Sequence, residues 1–238
     1  MSMARLKTGI KGLDELIGGG IESGSRTILY GPPGTGKTVF AMQFLWQGLQ
    51  LGEAVSYDVM DKPFPRLRTY FKSFGWDIKP YEAQGKFISI QAFPHFESYP
   101  RDPGVIYFSL EDFEEMKRID KIISKSRVTR FAAGDFSEQM FSLYELKYML
   151  PVEHWTINWS HYDNIANVDI MTAATQKDVA IQRATDLDFN TVHNLIFFRF
   201  NEEMLRREMR IVKMEATDHQ LEWLPFKITR KGIEMLKP

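Results

Sequence analysis

Gly31-Pro32-Pro33-Gly34-Thr35-Gly36-Lys37-Thr38 fits the pattern G-x-x-x-x-G-K-[ST], and what flanks it decides the fold. At average composition, chance would place this pattern in a chain of such length roughly once in a hundred. On its amino side, Arg26-Thr-Ile-Leu-Tyr30 is a short run of β-branched, aliphatic and aromatic residues bounded by glycines, which predicts a buried strand. On its carboxyl side, Thr38 to Leu51 carries apolar residues at 39, 42, 46 and 49, which predicts a largely buried helix. Strand, glycine loop and helix form the context that the pattern requires. Glycines let the backbone turn its N–H groups inward toward phosphate oxygens at the positive end of the helix. Lys37 would supply a mobile cation for the β- and γ-phosphates, and the Thr38 hydroxyl would ligate Mg²⁺. The candidate nucleotide-binding set is Gly31, Pro32, Pro33, Gly34, Thr35, Gly36, Lys37, Thr38 and Val39.

The composition of the full 238-residue chain narrows the class. Thirty Lys and Arg against thirty-one Asp and Glu give a net charge of −1, which excludes a globally basic nucleic-acid coat. The lack of cysteine excludes a disulfide scaffold, a thiolate zinc site and a cysteine nucleophile. The longest uncharged apolar-rich stretch, Thr38 to Gly52, is too short and too rich in Gln to span a bilayer. Met1 to Lys11 lacks the apolar core of a secretory signal. These features predict a soluble, cytoplasmic globular protein. The five histidines are too scattered for a metal site by spacing.

No repeat or linker divides the chain, so residues 1–238 are expected to form one domain. Gly12 to Ile17 reads as a short helical stretch. Strands are expected at Ala54 to Met60 and Phe87 to Ile90, with a helix from Phe64 to Phe74 stopped by Gly75. Pro94 to Tyr107 reads as a long loop. Leu110 to Ser126 and Val152 to Ala166 read as helices and Val168 to Ala174 as a strand. The strand-like runs Leu195 to Phe200, Glu208 to Met214, Leu221 to Ile228 and Gly232 to Leu236 are joined by short turns. This alternation predicts an α/β fold, a mainly parallel central sheet flanked by helices and extended by C-terminal antiparallel hairpins.

Several blocks together resemble the KaiC-like branch of the RecA superfamily of P-loop ATPases, especially its small archaeal members. They are Thr8 to Leu16 followed by Gly18-Gly19-Gly20-Ile21, Gly31 to Thr38 with Phe44-Leu45, Phe74-Gly75-Trp76-Asp77 with Tyr81 and Gly85-Lys86, and a closing block. The closing block comprises Leu205-Arg206-Arg207, Val212-Lys213-Met214, Thr217-Asp218-His219 and Phe226-Lys227-Ile228-Thr229 with Gly232-Ile233. The likeness covers roughly residues 6–93 and 192–236. It implies a RecA-type core that binds ATP with Mg²⁺ and self-associates into a hexameric ring or filament. It further implies that Lys213, Thr217 and His219 reach a neighbour's nucleotide; read without it, they form the polar face of a hairpin.

The chain departs from the family's pattern at three places. Where relatives end the second strand in two acidic residues, one of which activates water, the residues here are Asp61-Lys62. The one remaining carboxylate is shorter, and the adjacent cation favours its ionised form, making it a weaker base. Where relatives carry an arginine two residues after the closing lysine, Glu215 stands. A carboxylate there opposes charge spreading onto the γ-phosphoryl oxygens. The best candidate for the magnesium-holding strand end, Phe131-Ala-Ala-Gly134-Asp135, reads as a poor strand because of Gly134. Asp135 is the candidate second magnesium ligand, and Gln176 the candidate γ-phosphate sensor beside Lys37 and Asp61.

Three functions compete at this level. An oligomeric ATP-dependent regulatory or assembly protein with slow hydrolysis follows from an intact loop and an eroded hydrolytic apparatus, with a protein partner that the sequence does not name. An active ATPase on single-stranded DNA would use Lys117, Arg118, Lys121, Lys125, Arg127 and Arg130 with Arg206, Arg207 and Arg210. A clock-type autokinase finds neither a tandem repeat nor a phosphosite tail.

Overall fold

The computed structural model describes residues 4–59, 62–92, 101–109, 112–137, 158–160, 162–172 and 192–236, with backbone alone at 135–137. The predicted strand before the glycine loop is β3 (Arg26–Gly31), and every one of its residues is buried. The helix after it is α1 (Lys37–Gln50). The chain enters through β1 (Arg5–Leu6), a 3₁₀ turn at Asp14–Ile17 and β2 (Ile21–Glu22), with β1 and β2 pairing antiparallel. After α1 come β4 (Ala54–Val59), α2 (Phe64–Ser73), α3 (Lys79–Ala83), β5 (Phe87–Ala92), β6 (Ile106–Phe108), α4 (Phe113–Lys125) and β7 (Val128–Ser137). Then follow β8 (Ala166–Thr172), β9 (Asn194–Asn201), β10 (Arg206–Met214), β11 (Leu224–Thr229) and β12 (Gly232–Met235).

The large sheet has the order β12-β11-β10-β9-β3-β8-β7-β4-β5-β6. The seven strands from β9 to β6 run parallel, and β10, β11 and β12 extend the sheet as an antiparallel meander. This is the expected architecture. The glycine loop therefore leaves the carboxyl end of a central strand, where parallel sheets with crossover helices open their binding crevice.

Three expectations are corrected. Gly134 lies inside β7 rather than breaking it, because a side chain there would lie 3.1 Å from Tyr57 Cε1 on the neighbouring strand β4. Glycine eases the close approach of the two strands around that ring, and a larger residue would require the ring to shift by a few tenths of an ångström. Ile106–Phe108 forms β6 at the sheet edge within the supposed loop, whose residues 93–100 lie outside the described ones. Ala166 opens β8 rather than closing a helix: residues 158–160 and 162–163 are helical, Asn164 turns with φ +55°, and 151–157 lie outside the described residues.

One face of the sheet packs on α1. Leu29, Phe40, Phe44, Val55, Tyr57, Ile196, Phe198 and Phe226 belong to this core, with Phe198 edge-on to both Phe40 and Phe226 at 5.9 Å. Each such aromatic stabilises the fold by about 1.5–3 kcal/mol through burial. The other face carries a second cluster under α4, which includes Ile90, Ile119, Ile123, Phe131 and Trp159. Arg130 crosses from β7 to the α1 side, fully buried. Its Nε lies 2.6 Å from Glu53 Oε2, Nη1 donates to the carbonyls of Lys7 and Phe44, and the guanidinium stacks 4.6 Å from the Phe44 ring centre.

Candidate nucleotide site

The site is built from the loop between β3 and α1. Gly34 and Gly36 adopt φ of +76° and +111°, backbone that side-chain-bearing residues rarely hold. Gly31 is required for a different reason, since a methyl group there would lie 2.3 Å from the Phe198 carbonyl oxygen on β9. Lys37 is buried, and its Nζ donates to the carbonyls of Gly31 at 2.6 Å and Pro32 at 2.9 Å. Thr35 Oγ1 donates to the Pro32 carbonyl at 2.8 Å. These donors occupy the Gly31 and Pro32 carbonyls, and the glycine turns allow successive N–H groups to converge as they do in anion-binding loops.

The helix ends distinguish this site. Asp112 caps α4 by accepting from the N–H groups of Glu114 and Glu115. Gln91 Oε1 accepts from Phe64 N at the start of α2, and Asp77 Oδ1 from Lys79 N at the start of α3. At α1 no described side chain caps the amino end, where Gly36 stands. Orphan N–H groups and the positive pole of a long helix are there left for an external anion. The half-buried Thr38 hydroxyl has no hydrogen-bond partner among the described residues and offers a hard oxygen donor of the kind Mg²⁺ takes. A triphosphate with its metal fits this donor set. Val39, half-buried, follows on the first turn of α1.

α1 is itself tied to both ends of the chain. Gln43 Nε2 donates to the Gly9 carbonyl at 2.7 Å, and Gln43 Oε1 accepts from Ile233 N at 2.6 Å. The glycine-rich lead-in thus shapes the floor: Thr8 N and Oγ1 both donate to Asp14 Oδ1, and Gly18 turns left-handed at φ +67°.

The other candidate residues are distributed unevenly. Asp61 and Gln176 lie outside the described residues, and of Asp135 only the backbone, in β7, is described. Lys213 lies near the far end of β10 from the loop, opposite Leu195, which in turn pairs with Ile28. Arg207, at the near end, is opposite Phe200. Lys213 Nζ donates to the Val192 carbonyl at 2.5 Å and lies 2.9 Å from Glu215 Oε1. Thr217 Oγ1 accepts from Arg5 Nη2 at 2.5 Å, and the half-buried His219 lies beside the Gln220 carbonyl at 3.3 Å.

A family model described as "ATPase: KaiC" matches residues 6–149, more than half of the chain. The chain belongs to the KaiC ATPase family. With that family it shares the ATP-binding, RecA/KaiC-like P-loop fold. Over 239 aligned residues it is 27% identical to a UPF0273 protein of Thermotoga maritima, covering 96% of this chain and 94% of the relative. It is 29% identical to the circadian clock protein KaiC3 of Synechocystis, covering 98% of this chain and 45% of that longer protein. A solved KaiC-like protein from Pyrococcus horikoshii superposes with a TM-score of 0.76 at 24% identity over 99% of this chain and all of the other, a likeness of fold.

Two groups of functional interest escape sequence reasoning. Asp58 sits in β4, three residues before the expected Asp61, on the sheet face opposite α1, because Val55, Tyr57 and Val59 occupy the α1 side. Burial pushes its carboxyl up to about 7, against the Ala92 N–H that it accepts at 3.2 Å and with help from the Asp169 charge. Asp169 itself pairs with Arg26 Nε at 2.7 Å. The second group is the start of β10, where Arg207 Nε donates to the Gly34 carbonyl at 3.0 Å. Both contacts join residues distant in sequence, and no local pattern signals them.

Proposed function

We propose that this KaiC-family chain, folded as one domain over residues 1–238, binds ATP·Mg²⁺ through Gly31 to Val39. In this reading it works as a self-associating regulatory or assembly protein whose own hydrolysis is slow. Lys37 holds the β- and γ-phosphates, Thr38 and Asp135 hold the metal, Asp61 is the weakened water-activating base, and Gln176 senses the γ-phosphate. Lys213, Thr217 and His219 face a neighbour's nucleotide, since Lys213 stands at the end of β10 away from its own loop.

The observation that carries the slow-turnover reading is the 2.9 Å contact between Lys213 Nζ and Glu215 Oε1. Hydrolysis concentrates charge on the γ-phosphoryl oxygens as water attacks, and a positioned cation lowers that barrier. Here the cation is already met by a carboxylate, which would also repel the phosphate. The Lys213→Val192 carbonyl bond further restrains the side chain.

The DNA-dependent reading draws less support. Arg130 is buried against Glu53, Lys117 pairs with Glu114, Arg206 pairs with Glu208, and Arg207 reaches the loop. Light scattering after size exclusion, with and without ATP·Mg²⁺, together with a steady-state assay tests the proposal. Nucleotide-dependent assembly with turnover far below 1 s⁻¹, about the lower end for working enzymes, is expected. A monomer indifferent to nucleotide, or turnover above that rate, overturns it.

A further inference from the structure

The tip of the phosphate loop is held by chemistry rather than by packing. A methyl group at Gly34 would meet nothing within 4 Å among the described residues. Gly31 abuts Phe198 on β9, and Gly36 faces Ile228 and Phe226 on β11 at 3.3 Å, so both ends of the loop rest on packed strands. Between them, Thr35 Oγ1 donates to the Pro32 carbonyl within the loop, and Arg207 Nε on β10 donates to the Gly34 carbonyl from outside it.

Arg207 is mounted on stiff backbone. Its residue pairs with Phe200 on β9 and with Phe226 on β11, so it lies inside the sheet. The neighbouring Glu208 is buried and ties the hairpin together. Its Oε2 accepts from Arg199 Nε at 2.8 Å, and its Oε1 from Arg206 Nε at 2.9 Å and Asn201 Nδ2 at 3.1 Å. Burial alone would push the Glu208 carboxyl up, but the hydrogen bonds from Arg199 and Arg206 outweigh it and hold it below the ordinary glutamate range. Asn201 Oδ1 also accepts from Met204 N, closing the turn.

A trans peptide is planar, with its C=O and N–H pointing in opposite directions. Fixing the Gly34 carbonyl toward Arg207 therefore fixes the Thr35 N–H away from it, toward the hollow that phosphate would enter. A cation behind the peptide also polarises it, making that N–H a better donor to an anion. Donors set in place before the ligand arrives need no reorganisation when it binds.

We propose that Arg207 is a positioning residue for the phosphate loop: from the back of the loop, it holds the Gly34–Thr35 peptide in its anion-binding orientation. This deepens the proposed ATP-binding reading and rests on it for its affinity arm. Arg207→Ala and Arg207→Lys are compared with the wild-type protein by calorimetry with MgATP and MgADP, by thermal melting without nucleotide, and by amide hydrogen exchange.

Arg207→Ala is expected to weaken both nucleotides about tenfold, as the loss of one charge-assisted hydrogen bond would. Its melting midpoint should stay within a degree or two of wild type, while Thr35 amide exchange accelerates. Arg207→Lys, a point charge able to reach the same carbonyl, should recover most of the affinity. Wild-type affinity in Arg207→Ala overturns the proposal. So does a lowered midpoint with faster exchange throughout β9 to β11, which marks mere sheet stabilisation. If the wild-type protein binds neither nucleotide, the ATP-binding reading fails instead, and Thr35 exchange alone then decides whether the brace exists.

Discussion

The two ends of β10 contrast in how they use positive charge. At the loop end, Arg207 and Lys37 both donate to loop carbonyls, and the peptide planes they fix leave N–H groups to the anion. At the other end, Lys213 meets the Glu215 carboxylate at 2.9 Å in a partly exposed ion pair. In the proposed reading the first arrangement serves polyphosphate binding and the second weakens hydrolysis, so the two would diverge along one strand.

The contrast breaks most readily at Lys37. Lys37→Ala should weaken MgATP at least a thousandfold, about 4 kcal/mol, with the far-ultraviolet spectrum retained; calorimetry showing unchanged affinity refutes the role. The second test asks whether such a loss reflects the loop or the sheet beneath it, and Asp58 reports on the sheet. Its folded value of about 7 lies above the ordinary 3.8, so between these values the native state holds a proton that the unfolded chain has released. Its contribution to stability is full below about pH 4 and is lost as pH rises through 7, by about 4 kcal/mol. Urea denaturation across that range should show the decline, and Asp58→Asn should flatten it. A wild-type protein no less stable at pH 8 than at pH 5 contradicts this account of the buried carboxyl.

At the other end of β10, Glu215→Arg should raise turnover roughly tenfold, and Glu215→Gln, which only releases Lys213, should raise it less. Turnover unmoved by either substitution in the assembled protein would separate slow hydrolysis from this ion pair. The smallest effect expected concerns nucleic acid. Gel shifts with single-stranded DNA should show no retardation that falls steeply with salt, because several of the cations concerned are already paired.

Local chemistry made part of this legible. The pattern from Arg26 to Leu51 predicts β3, the loop and α1 because each signal lies within a few residues of the element it specifies. The meander was legible for the same reason, as short strands between turns. β7 was legible only as a poor strand at Phe131 to Asp135, since Gly134 weakens an isolated strand yet fits closely against Tyr57 on a neighbour far away in sequence. Nor could spacing show that Glu215 would meet Lys213, that Arg5 would bind Thr217, or that Arg207 would reach Gly34. The family resemblance points to Asp61, which lies outside the described residues, and burial singles out Asp58 among the described ones.

The position of β3 between β8 and β9 has a bearing on biosynthesis. The glycine loop is translated well before both strands that flank its supporting strand, β8 at Ala166–Thr172 and β9 at Asn194–Asn201. While the ribosome is still working, Arg26–Gly31 has no permanent neighbours and remains an unsatisfied apolar edge, a natural substrate for chaperones. A fragment ending before Ala166 would carry the whole motif and yet leave Arg26–Gly31 without either of its neighbouring strands.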